Sequence, residues 1–178
     1  MQALVLHAGD LFYFRQDLYR AYLDNHLIED IQTPYRITCE QDLVDYLAGF
    51  VSEQDSMVVG IFDNNKKYCY GYIIYDNIRC ADKMVAEVHI AIAKEIWGNT
   101  IADLFRQLLN DNLFDILYCQ IPKIAVRAIG MCKKLGFKKT GYIPCALPYE
   151  NSKGETKLYD LNIFVYKKAD KENDEIQA

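Results

Sequence analysis

Apolar side chains recur along this chain with two different periods, and the switch between them divides it. Phe14, Leu18 and Tyr22 fall at four-residue steps, which predicts a helix from about Leu11 to Leu27 with Asp10 as its N-cap. Thr38 followed by Gln41 has the form of a capping box. The helix it opens carries Leu43, Val44, Leu47, Phe50 and Val51 on one face. Strand character then takes over. Met57 to Phe62 is a short apolar run, Tyr68 to Asn77 is aromatic and β-branched, and Asp63-Asn64-Asn65 between them is turn chemistry. Together they predict a β-hairpin. Val85 to Ile92 is the next strand, and Ala3 to His7 is a candidate leading strand.

The second half alternates helices with strands. From about Gly98, Ile101, Leu104, Phe105, Leu108 and Leu109 form the cleanest amphipathic stripe in the chain. Leu113 to Gln120 reads as a strand. Pro122 suits the first turn of another helix, which buries Ala125, Ala128, Ile129, Cys132 and Leu135 and ends at Gly136. Phe137 to Ile143 is a strand, followed by a long connection through Pro144, Pro148 and Gly154. Leu158 to Tyr166 is the last strand. Residues 1–166 then form a single domain, and residues 167–178 read as a flexible charged tail. The order ααβββαβαββ predicts an α/β (α+β) architecture: a central mixed, mostly antiparallel sheet with helices on both faces.

Composition narrows the function classes. The chain has 178 residues, 51% hydrophobic and 25% charged, and a net charge of -5. That is one globular domain, long enough to bury a core without metal or disulfide staples. The net acidity argues against nucleic-acid binding, and no known nucleic-acid motif is present. No apolar run approaches the ~20 residues of a membrane span. Met1 to Asp10 lacks a basic region before its apolar run, so no secretory signal is expected there. The six cysteines, Cys39, Cys69, Cys80, Cys119, Cys132 and Cys145, lack zinc-ligand spacing. Reduced thiols in a cytoplasmic protein, with no metal site, are the expectation.

Two segments carry candidate chemistry. In the first, the strand Ala86-Glu87-Val88-His89-Ile90-Ala91-Ile92 runs through Trp97-Gly98 into a helix beginning Asn99-Thr100-Ile101. A glycine turn entering a helix aims free N–H groups and the positive end of the helix dipole outward, an arrangement that suits phosphate. The plainer reading is an ordinary connection. In the second, a helix from Val126-Arg127-Ala128 reaches Cys132-Lys133-Lys134 and leads through Leu135-Gly136-Phe137 into a strand with Gly141.

These segments, in this order and with a strand between them, resemble motifs A and B of the GNAT N-acetyltransferases. The resemblance covers roughly residues 57 to 166. It implies acetyl-CoA bound where two neighbouring parallel strands splay apart, here Val85–Ile92 and Leu113–Gln120. It implies contacts from Ile92, Trp97, Gly98, Asn99, Thr100, Ile101, Arg127 and Lys133. The family's pyrophosphate turn maps onto Glu95, Gly98 and Thr100, of which only Gly98 fits. Glu95 brings negative charge, and Thr100 is strained by about 1–3 kcal/mol if that position needs positive φ. The tyrosine that often protonates the leaving thiolate in this family is replaced by Cys132. A thiol has a suitable pKa for that task, although core filling is its plainer role. Val126 stands where the family commonly has Asn. Glu87 matches a glutamate base of some members, and His89 shares its face by strand alternation.

Charge adds an independent observation. Lys123, Arg127, Lys133, Lys134, Lys138 and Lys139 fall in a stretch without acids, whereas residues 1–56 carry ten acids against Arg15, Arg20 and Arg36. A basic cofactor side and an acidic acceptor side suit an anionic acyl donor and a cationic amine. Two readings compete. One is an acetyl-CoA-dependent acyltransferase acting on an amine of a protein or small molecule. The other is a non-catalytic assembly or binding module whose basic stretch docks an acidic partner protein. Leu147-Pro148-Tyr149 and Lys157-Leu158-Tyr159-Asp160 are similar to segments of small phage-encoded GNAT-like proteins, which would add a virion-associated location.

Overall fold

Strand parity separates two cores. In β3 (Cys69–Cys80), Tyr72 and Ile74 face one side, while Ile73 and Tyr75 face the other, and all four are buried. The run in β2 (Met57–Phe62) is split the same way, as expected of an interior strand covered on both faces. A one-residue slip would exchange the two sets, so register is strongly specified. The computed structural model describes residues 1–32, 37–111, 113–150 and 156–168, with side chains throughout except at 26–32, 99, 149 and 150. Arg36, the end of the 144–152 connection and the tail from residue 169 lie outside the described residues.

Seven strands form one sheet in the order β1-β2-β3-β4-β5-β7-β6. The remaining strands are β1 (Gln2–Val5), β4 (Met84–Ile92), β5 (Ile116–Pro122), β6 (Lys138–Glu150) and β7 (Thr156–Lys167). Every pairing is antiparallel except β4 with β5. Helices α1 (Ala8–Tyr13), α2 (Arg15–Gln32) and α3 (Glu40–Ser52) cover one face, burying Leu11, Leu18, Tyr22, Leu43 and Leu47. Helix α4 (Asn99–Asp111) contributes Ile101, Leu104, Phe105 and Leu109 to the other core. Ala128, Ile129, Met131 and Cys132 of α5 (Val126–Lys134) pack against that same core. Helices therefore flank a mixed, mostly antiparallel sheet on both faces, as the element order predicts.

Several local expectations are corrected. The first predicted helix is two helices broken at Phe14, whose ring packs edge-on against Phe62 at 4.9 Å. Asp10 is not the N-cap; it sits three residues into α1 and accepts the N–H of His7 at 2.9 Å. The capping box at α3 lies one residue later, with Cys39 and Asp42 in the cap and third positions. Asp42 accepts the Thr38 hydroxyl at 2.7 Å, the Thr38 N–H at 2.8 Å and the Cys39 N–H at 3.2 Å. These bonds, Thr38's first, hold the Asp42 carboxyl below its ordinary value. Pro122 does not open a helix. It closes β5 opposite Leu161; the next residue's N–H, that of Lys123, donates to Asp160 O at 2.9 Å, so by strand alternation the N–H that Pro122 lacks would face away from β7 and the ladder loses no bond. Residues 144–150 are not a free wall; they extend β6 into a long hairpin with β7, irregular between Ile143 and Leu147, with Cys145 at φ 49°.

A candidate active site at a strand splay

Strands β4 and β5 pair only through Val85–Ile116, Ala86–Leu117 and Glu87–Tyr118. Beyond Glu87 they part, although β4 continues to Ile92 and β5 to Pro122. The gap opens a cleft of about 570 Å³ that reaches through the sheet. Val88, Cys119 and Ile121 line it from the α4 and α5 face, and His89 and Gln120 from the α2 face. Trp97, Phe105, Arg127 and Cys132 complete the first side, and Asp24 and Asn25 of α2 the second.

The β4 edge along the gap presents main-chain groups. The Ala93 N–H donates to Tyr70 O of β3 at 2.7 Å. Strand alternation then turns the N–H and C=O of Ile90 and Ile92 away from β3, into the gap. The Ile92 carbonyl accepts Asn25 Nδ2 at 2.7 Å and Trp97 Nε1 at 3.2 Å. Asp24 accepts the Lys94 N–H at 2.7 Å, so α2 is fastened to the turn that follows β4. Glycine is required opposite this strand end: a Cβ on Gly71 (φ +152°) would lie 2.2 Å from Ala91 O.

A single helical turn (Lys94–Ile96) and Trp97-Gly98 lead into α4. Gly98 has φ +145° and open space around it. The first N–H groups of α4 have no partner within their own helix and lie next to the Trp97 side of the cleft. Thr100 falls inside the first turn of α4 and carries no positive φ, so the strain considered for it is absent. Glu95 is ion-paired to Arg20 of α2 at 3.2 Å, which offsets its charge beside this turn. Ile101 is fully buried in the core.

On the α2 face Glu87 is buried, and buried carboxyls need partners. Gln120 Nε2 donates to Glu87 Oε1 at 3.0 Å, and Tyr118 is hydrogen-bonded to the same side chain. Burial, then the Glu87 charge and that hydrogen bond, push the Tyr118 hydroxyl up. His89 Nε2 lies 3.7 Å from Glu87 Oε1. Burial pulls the His89 pKa down against the opposing charges of Glu87 and Asp76, leaving a neutral imidazole at pH 7. Asp76 sits opposite Glu87 on β3.

On the other face Cys132 Sγ is 3.6 Å from Cys119 Sγ. Arg127 reaches the cleft from the first turn of α5, and Lys133 is exposed one residue past Cys132. Of the candidate residues, His89, Trp97, Arg127 and Cys132 line the cleft; Glu87 lies beside it against His89 and Gln120, Ile92 touches it through Asn25 and Trp97, and Gly98, Thr100, Ile101 and Lys133 are not part of its lining. Sequence reasoning missed Gln120, Cys119, Asp24 and Asn25. Gln120 had a signal, a polar residue two places from a tyrosine on an otherwise apolar strand. Among the described residues no cluster of potential metal ligands occurs, and no helix is long and apolar enough to cross a membrane.

No protein-family model and no curated protein matches the sequence. Solved structures do match the fold. A spermidine N-acetyltransferase from Vibrio cholerae, solved with CoA and spermine, superposes with TM-score 0.69 at 17% identity over 93% of this chain and 94% of that one. A Chromobacterium violaceum protein described as a probable acetyltransferase of the GNAT family gives TM-score 0.72 at 14% identity, over 93% of this chain and 81% of that one. The chain has the GNAT fold. The GNAT resemblance of residues 57 to 166 thus extends, at the level of fold, to the helices α1–α3 as well.

Proposed function

We propose that this GNAT-fold chain is an acetyl-CoA-dependent N-acyltransferase acting on an amine. The observation that carries the reading is the three-pair contact between β4 and β5 followed by a cleft through the sheet, polar on the α2 face and lined by α4 and α5 on the other. Acetyl-CoA supplies the activated acyl group. The Ile90 N–H and C=O turned into the gap suit an extended amide chain laid along the open strand edge, and the N–H of Ile92, whose carbonyl is taken by Asn25 and Trp97, suits a developing oxyanion. Gly98, Asn99 and Thr100 at the start of α4, with Trp97 and Ile101 fixing that turn, suit a pyrophosphate. Arg127 and Lys133 add positive charge on the α5 side.

The acceptor amine enters from the α2 face and must lose a proton. Neutral His89 accepts it, and Glu87, held by Gln120, stabilises the imidazolium that results. Cys132, inside the cleft on the opposite face, returns a proton to the leaving thiolate.

The test is thermal unfolding with and without acetyl-CoA, followed by an amine-acceptor screen. At one hundred times its Kd the ligand stabilises the fold by about 2.7 kcal/mol, a clear rise in Tm. No shift at millimolar acetyl-CoA overturns the reading. One observation favours the binding-module alternative: Lys133, Lys134, Lys138 and Lys139 are all exposed along the end of α5 and the start of β6. Without a Tm shift, an acidic partner for that stretch becomes the reading to test.

A further inference from the structure

We propose that Cys119 and Cys132 are a modification site: a dithiol that a hydroperoxide closes to an intramolecular disulfide inside the cleft. Cys119 projects from β5 and Cys132 from α5, thirteen positions apart in sequence, and their sulfurs stand 3.6 Å apart. A disulfide bond is about 2.05 Å long, so the sulfurs must approach by roughly 1.5 Å. Cys132 is half-buried and lines the cleft, which leaves its side chain room to turn toward Cys119. The other cysteines are placed differently. Cys39, Cys80 and Cys145 are exposed, and Cys69 is buried with its thiol bonded to Gly71 O at 3.3 Å.

The two thiols have different tasks. Cys119 is buried, so a peroxide does not meet it first and it is the resolving partner; the hydrogen bond to Cys132, then burial, raises its thiol well above its ordinary value, so its proton leaves only as the S–S bond forms. Cys132 meets solvent through the cleft and is the group that a peroxide reaches. Its sulfur attacks a peroxide oxygen; the S–O bond forms, the O–O bond breaks, and the departing oxygen leaves as water or alcohol with the thiol proton. Cys119 sulfur then attacks the sulfenic sulfur; the S–S bond forms, the S–O bond breaks, and hydroxide leaves with the Cys119 proton as water. Two thiols are oxidised by two electrons, and one hydroperoxide is reduced. Any thiol reductant reverses the modification.

The disulfide itself is independent of the proposed activity. Its consequence rests on that reading: closure removes the Cys132 proton from the cleft and ties β5 to α5 beside the acyl-donor side.

The test uses the full chain with Cys39→Ser, Cys80→Ser and Cys145→Ser. It is treated with hydrogen peroxide, blocked with N-ethylmaleimide after denaturation, cleaved with trypsin and read by mass spectrometry. Lys123 and Arg127 separate the two cysteines, so the disulfide appears as two linked peptides. The expected result is a Cys119–Cys132 link at least tenfold above the reduced control, lost on adding dithiothreitol. Adding Cys119→Ala should abolish the link and leave Cys132 as a dimedone-trapped sulfenic acid. Recovery of both cysteines as maleimide adducts, or Cys132 overoxidised without a link in the parent, overturns the proposal. A link without any acetyl-CoA effect on Tm would uphold the disulfide and refute the acyltransferase reading.

Discussion

Gln120 Nε2 donates to Glu87 Oε1 at 3.0 Å, bridging β4 and β5 from the last paired residue of β4 to the first side chain of β5 past the pairing on the same face. The bond holds a buried carboxyl against His89, which lines the α2 side of the cleft. In the proposed proton path, Glu87→Gln removes the charge that would support an imidazolium on His89. The expected loss in acyl transfer is about 10²- to 10⁴-fold, with the acid limb of the pH–rate profile displaced. Steady-state rates across pH check this. A variant with unchanged rate and profile would remove Glu87 from the proton path.

Gln120→Leu tests the bridge separately. It leaves Glu87 buried and short of a donor, which should destabilise the fold by about 1–3 kcal/mol. Urea unfolding measures it. A double variant with Glu87→Gln should recover part of that loss, because the remaining amide no longer carries charge.

His89 makes stability depend on pH. Its native pKa lies below the ordinary 6.5, chiefly because it is buried, so below that value the unfolded chain binds more protons than the native one. Stability is therefore full above pH 6.5 and falls as pH drops from there through the native pKa. His89→Gln should flatten that part of the curve. Urea midpoints on either side of pH 6.5 give the answer, and an unchanged slope would show that another group dominates.

Gly98→Val separates binding from folding. The position has open space, but φ +145° strains any side chain, at about 1–3 kcal/mol. The chain should remain folded with a lowered Tm, and acetyl-CoA affinity should be abolished as the turn shifts. Calorimetry on the folded variant decides the point; wild-type affinity would exclude this turn from the pyrophosphate site.

Gly71→Ala is the contrasting case. Its Cβ meets main-chain atoms, Ala91 O at 2.2 Å and Ile92 Cα at 2.8 Å, and these cannot swing aside. A destabilisation above about 4 kcal/mol is expected, large enough to unfold most of the chain. Circular dichroism of the purified variant checks it.

Much of the fold was legible in the sequence. The stripes in α3 and α4 and the paired runs of β2 and β3 each obey one period, and the structure keeps those periods. The break at Phe14 was hidden because Phe14, Leu18 and Tyr22 keep their spacing across it; the interruption shows in the edge-on packing of Phe14 against Phe62, a contact 48 positions away. Pro122 misled because proline's local preference fits both a helix start and a strand end, and only pairing with Leu161 selects the second. At the site, Glu87 and His89 stood out as polar residues two apart in an apolar strand. Asp24 and Asn25 carried no such mark. Their importance comes from where α2 crosses the sheet, which helical periodicity does not encode.

The short β4–β5 contact also has a dynamic consequence. Three residue pairs, with side-chain bonds from Gln120, Tyr118 and Asp115, join a four-strand half of the sheet to a three-strand half. That seam is the place where the molecule can open as a hinge without breaking any antiparallel ladder. Main-chain deuterium uptake should accordingly be fastest along the gap-facing edge of β4 and slow in the interior of β3, and a ligand spanning the seam should act as a clasp that slows uptake on both sides at once.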